Sequence, residues 1–131
     1  MPGRLHFALA VLFAATAACA HRGGTAADSK QLGPQEARVS VNVTNNYQSA
    51  MEIFVLGNGT SHHLGTVAPG VPRSFELRPG MVAAGGHVQF LAQASGAGPR
   101  VSTDEVIVAP GDVVDFEITT NLIGSRATVR R

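Results

Sequence analysis

His62 and His63, with His87 further along, are the residues whose types first suggest metal chemistry. Adjacent side chains on a strand point to opposite faces, so both imidazoles reach one ion only if the segment is a loop. The spacing matches no helical H-E-x-x-H or Cys/His zinc pattern, and the expectation is a solvated loop pair that holds no metal. Asp104, Glu105, Asp112, Asp115 and Glu117 make the last third of the chain acidic. A turn at Pro110-Gly111-Asp112 ahead of Asp115 is the kind of loop from which Ca²⁺ takes oxygen ligands, although solvated strand charges account for the same residues. Nucleophilic catalysis needs an activated Ser, Thr or Cys beside a base. There is no G-x-S-x-G elbow, and Ser74, Ser102 and Ser125 read as polar strand positions. Neither an enzyme nor a cofactor is therefore expected.

The remaining candidates are surfaces. Phe54 and Leu56 alternate against Met51, Ile53 and Val55; Leu91 opposes Phe90, and Ile107 opposes Val106. If their strands are neighbours, Phe54, Leu56, Leu91 and Ile107 form a candidate interaction surface, since contiguous exposed apolar area marks binding sites. The alternative is a central strand covered on both sides. Tyr47, the sole tyrosine, falls at a turn and reads as a hydrogen-bonded turn residue. Arg126, Arg130 and Arg131 make a small basic tail of the solvated kind. Ten Lys or Arg against nine Asp or Glu give a formal charge of +1, without the dense cationic surface that nucleic acid requires.

Cys19 is the only cysteine, so no disulfide framework exists within the chain. It follows Arg4, an apolar run over residues 5–15 and the small residues Thr16, Ala17 and Ala18. That run has the length of an export signal, and falls short of the roughly 20 apolar residues that cross a bilayer. Residues 1–19 resemble a bacterial lipoprotein signal, in which a lipobox of small or aliphatic residues ends in a cysteine that is lipidated and becomes the mature N-terminus. Thr16, Ala17 and Ala18 stand at the lipobox places, although the first is usually Leu, so ordinary signal cleavage stays as the alternative. The resemblance implies a palmitate-type acyl anchor on Cys19 in the lipid bilayer. Ala20, where Asp would favour inner-membrane retention, points to the outer membrane.

These residues need elements to position them. Residues 1–18 read as signal peptide, and residues 19–35 as a lipidated N-terminus followed by a flexible linker of small polar residues. From residue 36 the pattern changes to alternation of period two: Val39, Val41, Val43; Met51, Ile53, Val55; Phe75, Leu77; Val88, Phe90, Ala92, Ala94; Val106, Val108; Val114, Phe116, Ile118. Turn pairs such as Asn58-Gly59, Pro69-Gly70, Pro79-Gly80 and Gly85-Gly86 separate the runs. Residues 36–131 are thus expected to be an all-β domain, a small antiparallel β-sandwich of immunoglobulin-like architecture. It should have seven strands, with an eighth short one at residues 126–129. Without Trp or a second Cys it lacks the immunoglobulin hallmark residues. The expected function is a non-enzymatic envelope lipoprotein serving as a binding or structural accessory, with another envelope protein as partner. The alternative is a small-ligand, glycan or metal-binding module built on end loops 58–63 and 80–87.

Overall fold

The computed structural model describes residues 38–131. The expected signal segment, Cys19 and the expected linker to residue 35 lie outside the described residues. The alternating runs become strands β1 (Val39–Asn45), β2 (Met51–Gly57), β3 (Thr60–Val67), β4 (Arg73–Leu77), β5 (His87–Ala94), β6 (Arg100–Ser102), β7 (Val106–Ile107), β8 (Val113–Ile118) and β9 (Arg126–Arg130). A 3-10 turn, Pro79–Met81, and a turn at Ala84–Gly86 whose two glycines take positive φ lie between β4 and β5.

One sheet has the order β4-β1-β8-β9; the other runs β3-β2-β5-β6, with β7 pairing further along β5. Together they form a small β-sandwich. Pairing is antiparallel except between β1 and β8, which run parallel. Parallel neighbours need a long crossover, and here the crossover is most of the domain: β2 and β3 in the second sheet, β4 back beside β1, then β5 to β7 in the second sheet before β8 returns on the other side of β1. The nine described strands exceed the expected seven or eight because β3 and the short β6 carry no clean alternation.

The inward positions make one core. Val41, Val43, Val114, Phe116 and Ile118 come from the first sheet and Met51, Ile53, Val55, Val88, Phe90 and Ala92 from the second, all essentially buried. Phe90 and Phe116 meet across the interface with ring centroids 5.7 Å apart and a 34° tilt. Thr103 is buried too. Its backbone N–H bonds Phe90 O at 2.9 Å, and its hydroxyl accepts from Phe90 N at 3.1 Å while donating to Asp104 O, carrying the pairing along β5 between β6 and β7.

Asn58-Gly59 forms the two-residue connection of the β2–β3 hairpin, with φ of 52° and 71°. Both values are positive, as a type I′ turn requires. Asn45 fixes the opposite corner. Its side-chain amide donates to Ser49 O and Val67 O, each at 2.9 Å, its Oδ1 accepts from Tyr47 N at 2.9 Å, and it has no solvent exposure. Tyr47 thus sits at a turn, as expected, with its ring packed against the core. Asn45→Ala strands these backbone partners, and is expected to cost about 2 kcal/mol because buried groups left unpaired pay their full desolvation. Urea denaturation checks this; a loss below about 0.5 kcal/mol would show water replacing the amide.

Candidate functional site

β2 and β5 are interior strands of their sheet, each with a neighbour on both sides. Their inward residues fill the core, so the outward set Glu52, Phe54, Leu56 and His87, Gln89, Leu91, Gln93 forms the outer face. The register arranges that face in rows. Phe54 stands opposite Leu91, with His63 beyond Phe54 and Ser102 beyond Leu91. Thr66, Glu52, Gln93 and Arg100 make the polar row on one side; Ser61, Leu56 and Gln89 make the row on the other.

Phe54, Leu56 and Leu91 are therefore neighbours, half-buried by one another and by the His63 ring, whose centroid lies 5.0 Å from that of Phe54. Directly opposed large side chains on one sheet face interact favourably, which gives this strip its own cohesion. Ile107 stands apart. It pairs with His87, four residues back along β5 from Leu91 and so roughly 13 Å away at strand rise. At 53% exposure it lies more open than the strip. Next to Leu56 is a shallow pocket of about 370 Å³ lined by Asn58, Ser61, His87, Gln89 and Glu105. There His87 Nδ1 lies 2.7 Å from Glu105 Oε1.

His62 and His63 occupy β3 rather than a loop. Alternation separates them: His63 pairs with outward-facing Phe54, whereas His62 pairs with inward-facing Val55 and buries an Nε2 without a hydrogen-bond partner. The register shift between Ile53 and Phe54 leaves Leu64 as an extra residue, a bulge that kinks the edge. Nothing in the sequence marked β3 as a strand beyond the hairpin turn preceding it. Among the described residues, no group of three His, Cys, Asp or Glu could hold a metal.

The acidic residues divide between the sheets. Asp104 and Glu105 lie beside β5, whereas Asp115 and Glu117 point out from β8, where the basic residues of β9 meet them. Arg130 binds both oxygens of Asp115, Nη2 reaching Oδ1 at 3.0 Å, and Arg126 lies 3.4 Å from Glu117. Asn42 donates to Asp115 at 3.1 Å and accepts from Ser74, so a polar chain crosses four strands. Arg126 and Arg130 thus belong to a strand and an ion ladder, not to a loose tail. Asp112 is buried, capping the preceding turn through Ala109 N at 2.8 Å.

The Arg130 hydrogen bond holds the Asp115 carboxyl below the usual Asp range against the raising effect of burial, with Asn42 adding to the lowering. A depressed carboxyl stabilises the fold above about pH 4, and that contribution fades as pH falls through the lowered value. Asp115→Asn is expected to reduce stability at pH 7 by no more than about 1 kcal/mol, the pair being solvent-screened. The difference from wild type should shrink as pH falls below about 4. Denaturation curves at pH 7 and in acid check this, and a constant difference would refute the linkage.

No known protein family and no curated protein matches this chain. Among solved structures, the NMR structure of a protein from Eubacterium rectale is similar, at TM-score 0.48 and 11% identity over 75% of this chain and 93% of that one. Likeness at that level carries no argument about function.

Proposed function

We propose that this protein is a lipid-anchored envelope lipoprotein whose β-sandwich is a non-enzymatic binding module, engaging another envelope protein through the outer face of β2 and β5. The observation that supports this reading is the contrast between the two outer faces. The β4-β1-β8-β9 face is polar and ion-paired, with Ser74, Asn42, Asp115, Glu117 and the Arg residues of β9. The β2–β5 face carries the strip Phe54, Leu56 and Leu91 between polar rows. An apolar centre with a polar rim is the anatomy of a protein interface. Strand addition fits less well. β3 is bulged, β4 and β9 carry charges, and β6 and β7 span three and two residues. Each of these is a device that blunts an edge against pairing. The anchor on Cys19 would place the module at the outer membrane, on a tether of small polar residues.

Two measurements test the proposal. Radiolabelled palmitate should enter the wild-type chain and not Cys19→Ala. Photocrosslinkers at positions 54 and 91, in cells, should capture one envelope protein that a crosslinker at Thr44 on the other face does not reach. Phe54→Asp with Leu91→Asp should abolish that capture from position 56. Equal capture from both faces, or retained capture in the double variant, would reject the binding surface.

A further inference from the structure

A second concavity opens at one end of the sandwich, sharing Ala83 with the shallow pocket beside Leu56 but lined by none of Phe54, Leu56 and Leu91. Its volume is about 520 Å³, within the roughly 300–1,000 Å³ typical of small-molecule sites. Val39 and Leu77, paired in register on β1 and β4, form one wall; Val82 and Ala83 from the β4–β5 connection and Val108 and Pro110 ahead of β8 form the others.

These walls are pinned by short contacts. Val108 N bonds Gly86 O at 2.9 Å, Asn58 Nδ2 bonds Val82 O at 3.0 Å, and Ala83 N bonds His87 O at 3.1 Å. The concavity is therefore built into the backbone and needs no ligand to create it. Arg38 is the one charged residue among the described residues of its lining. Among the described lining residues no side chain is aromatic and none but Arg38 can hydrogen-bond, which disfavours sugars and nucleotides, whose buried polar groups would go unmet.

Among the described residues, the charged side chains on or next to the lining segments are Arg38, Glu76 and Arg78. Arg38 pairs with Glu76 at 2.7 Å, both largely exposed, and Arg78, between lining residues Leu77 and Pro79, makes no ion pair with a described residue. An exposed pair of this kind is weak enough for Arg38 to be shared with a second anion.

We propose that this end pocket binds an aliphatic amphiphile with an anionic end, in the size range of a medium-chain fatty acid. The tail lies against Val39, Leu77, Val82 and Val108 and the carboxylate meets Arg38 at the mouth. The proposal goes beyond the partner surface and does not depend on it.

Decanoate titrated into the full-length chain, followed by methyl NMR, tests it. Saturable shifts are expected at Val39, Leu77, Val82 and Val108. Decylammonium of the same length should bind about tenfold more weakly, and Arg38→Glu should weaken decanoate by a similar factor. Glu76→Gln, which frees Arg38, should tighten it severalfold. Ala109→Trp, filling the pocket from a residue that lines it alone, should abolish the shifts. Absence of saturable shifts, shifts confined to Leu56 and Leu91, or equal affinity for the two amphiphiles would overturn the proposal. The amphiphile comparison uses the unaltered chain and stands even if the Trp variant fails to fold. Phe54→Asp with Leu91→Asp should leave decanoate binding unchanged, so the two sites can fail separately.

Discussion

Phe116→Ala is expected to remove about 3 to 5 kcal/mol of stability, a large share of the roughly 5 to 15 that holds a small domain together. Phe116 is 1% exposed and lies on β8, flanked by β1 and β9, where its ring meets Phe90 from the opposite sheet. Truncation removes contacts made to both sheets at once. Strands hydrogen-bonded on both sides cannot collapse into the space, so a cavity remains and adds to the lost transfer energy. Phe54→Ala removes the same atoms from a half-buried outer position and should cost clearly less. Urea denaturation of both variants measures the difference. A Phe116→Ala loss under about 1 kcal/mol would mean that the two sheets do not close on this pair as described.

Gly86→Ala should cost about 3 kcal/mol, for two additive reasons. A Cβ there would stand 2.1 Å from Val108 O and 3.2 Å from Val108 C, backbone atoms that cannot swing aside. Gly86 also has φ of +84°, a region costing about 1 to 2 kcal/mol for an L side chain. Gly124→Ala is the matched control, with φ of +77° and no atom within 4 Å of the added Cβ. It bears the conformational cost alone, so the difference between the two variants isolates the contact with Val108. Equal losses would show that the β4–β5 connection can lift away from Val108. The end pocket would then be less rigid than the hydrogen bond from Val108 N to Gly86 O implies.

The strip of the candidate site was legible because alternation assigns a face to each residue without knowledge of partners. Phe54 and Leu91 fall out of phase with their buried neighbours in the sequence, and the β2–β5 register makes them direct neighbours. Ile107 was out of phase in the same way, yet a two-residue β7 pairing with the start of β5 puts it beyond the strip. Phase fixes which side of a sheet a residue occupies, while distance along that side depends on register. The polar interior escaped sequence reading for a related reason. Asn45 and Thr103 are ordinary turn and loop residues by type, and only their nonlocal carbonyl and amide partners, Val67 and Phe90, make them core residues.

By itself the sequence determined an all-strand domain, the inward residues of its long strands and the Asn58-Gly59 hairpin turn. These are local consequences of side-chain period and of which residues tolerate positive φ. Tertiary structure alone decided the parallel β1–β8 pair, the ion ladder that absorbs Asp115 and Arg130, the separation of His62 from His63 on β3, and the end pocket. Each depends on segments distant along the chain becoming neighbours. That meeting is fixed by burial of the whole core at once, which no local window of residues encodes.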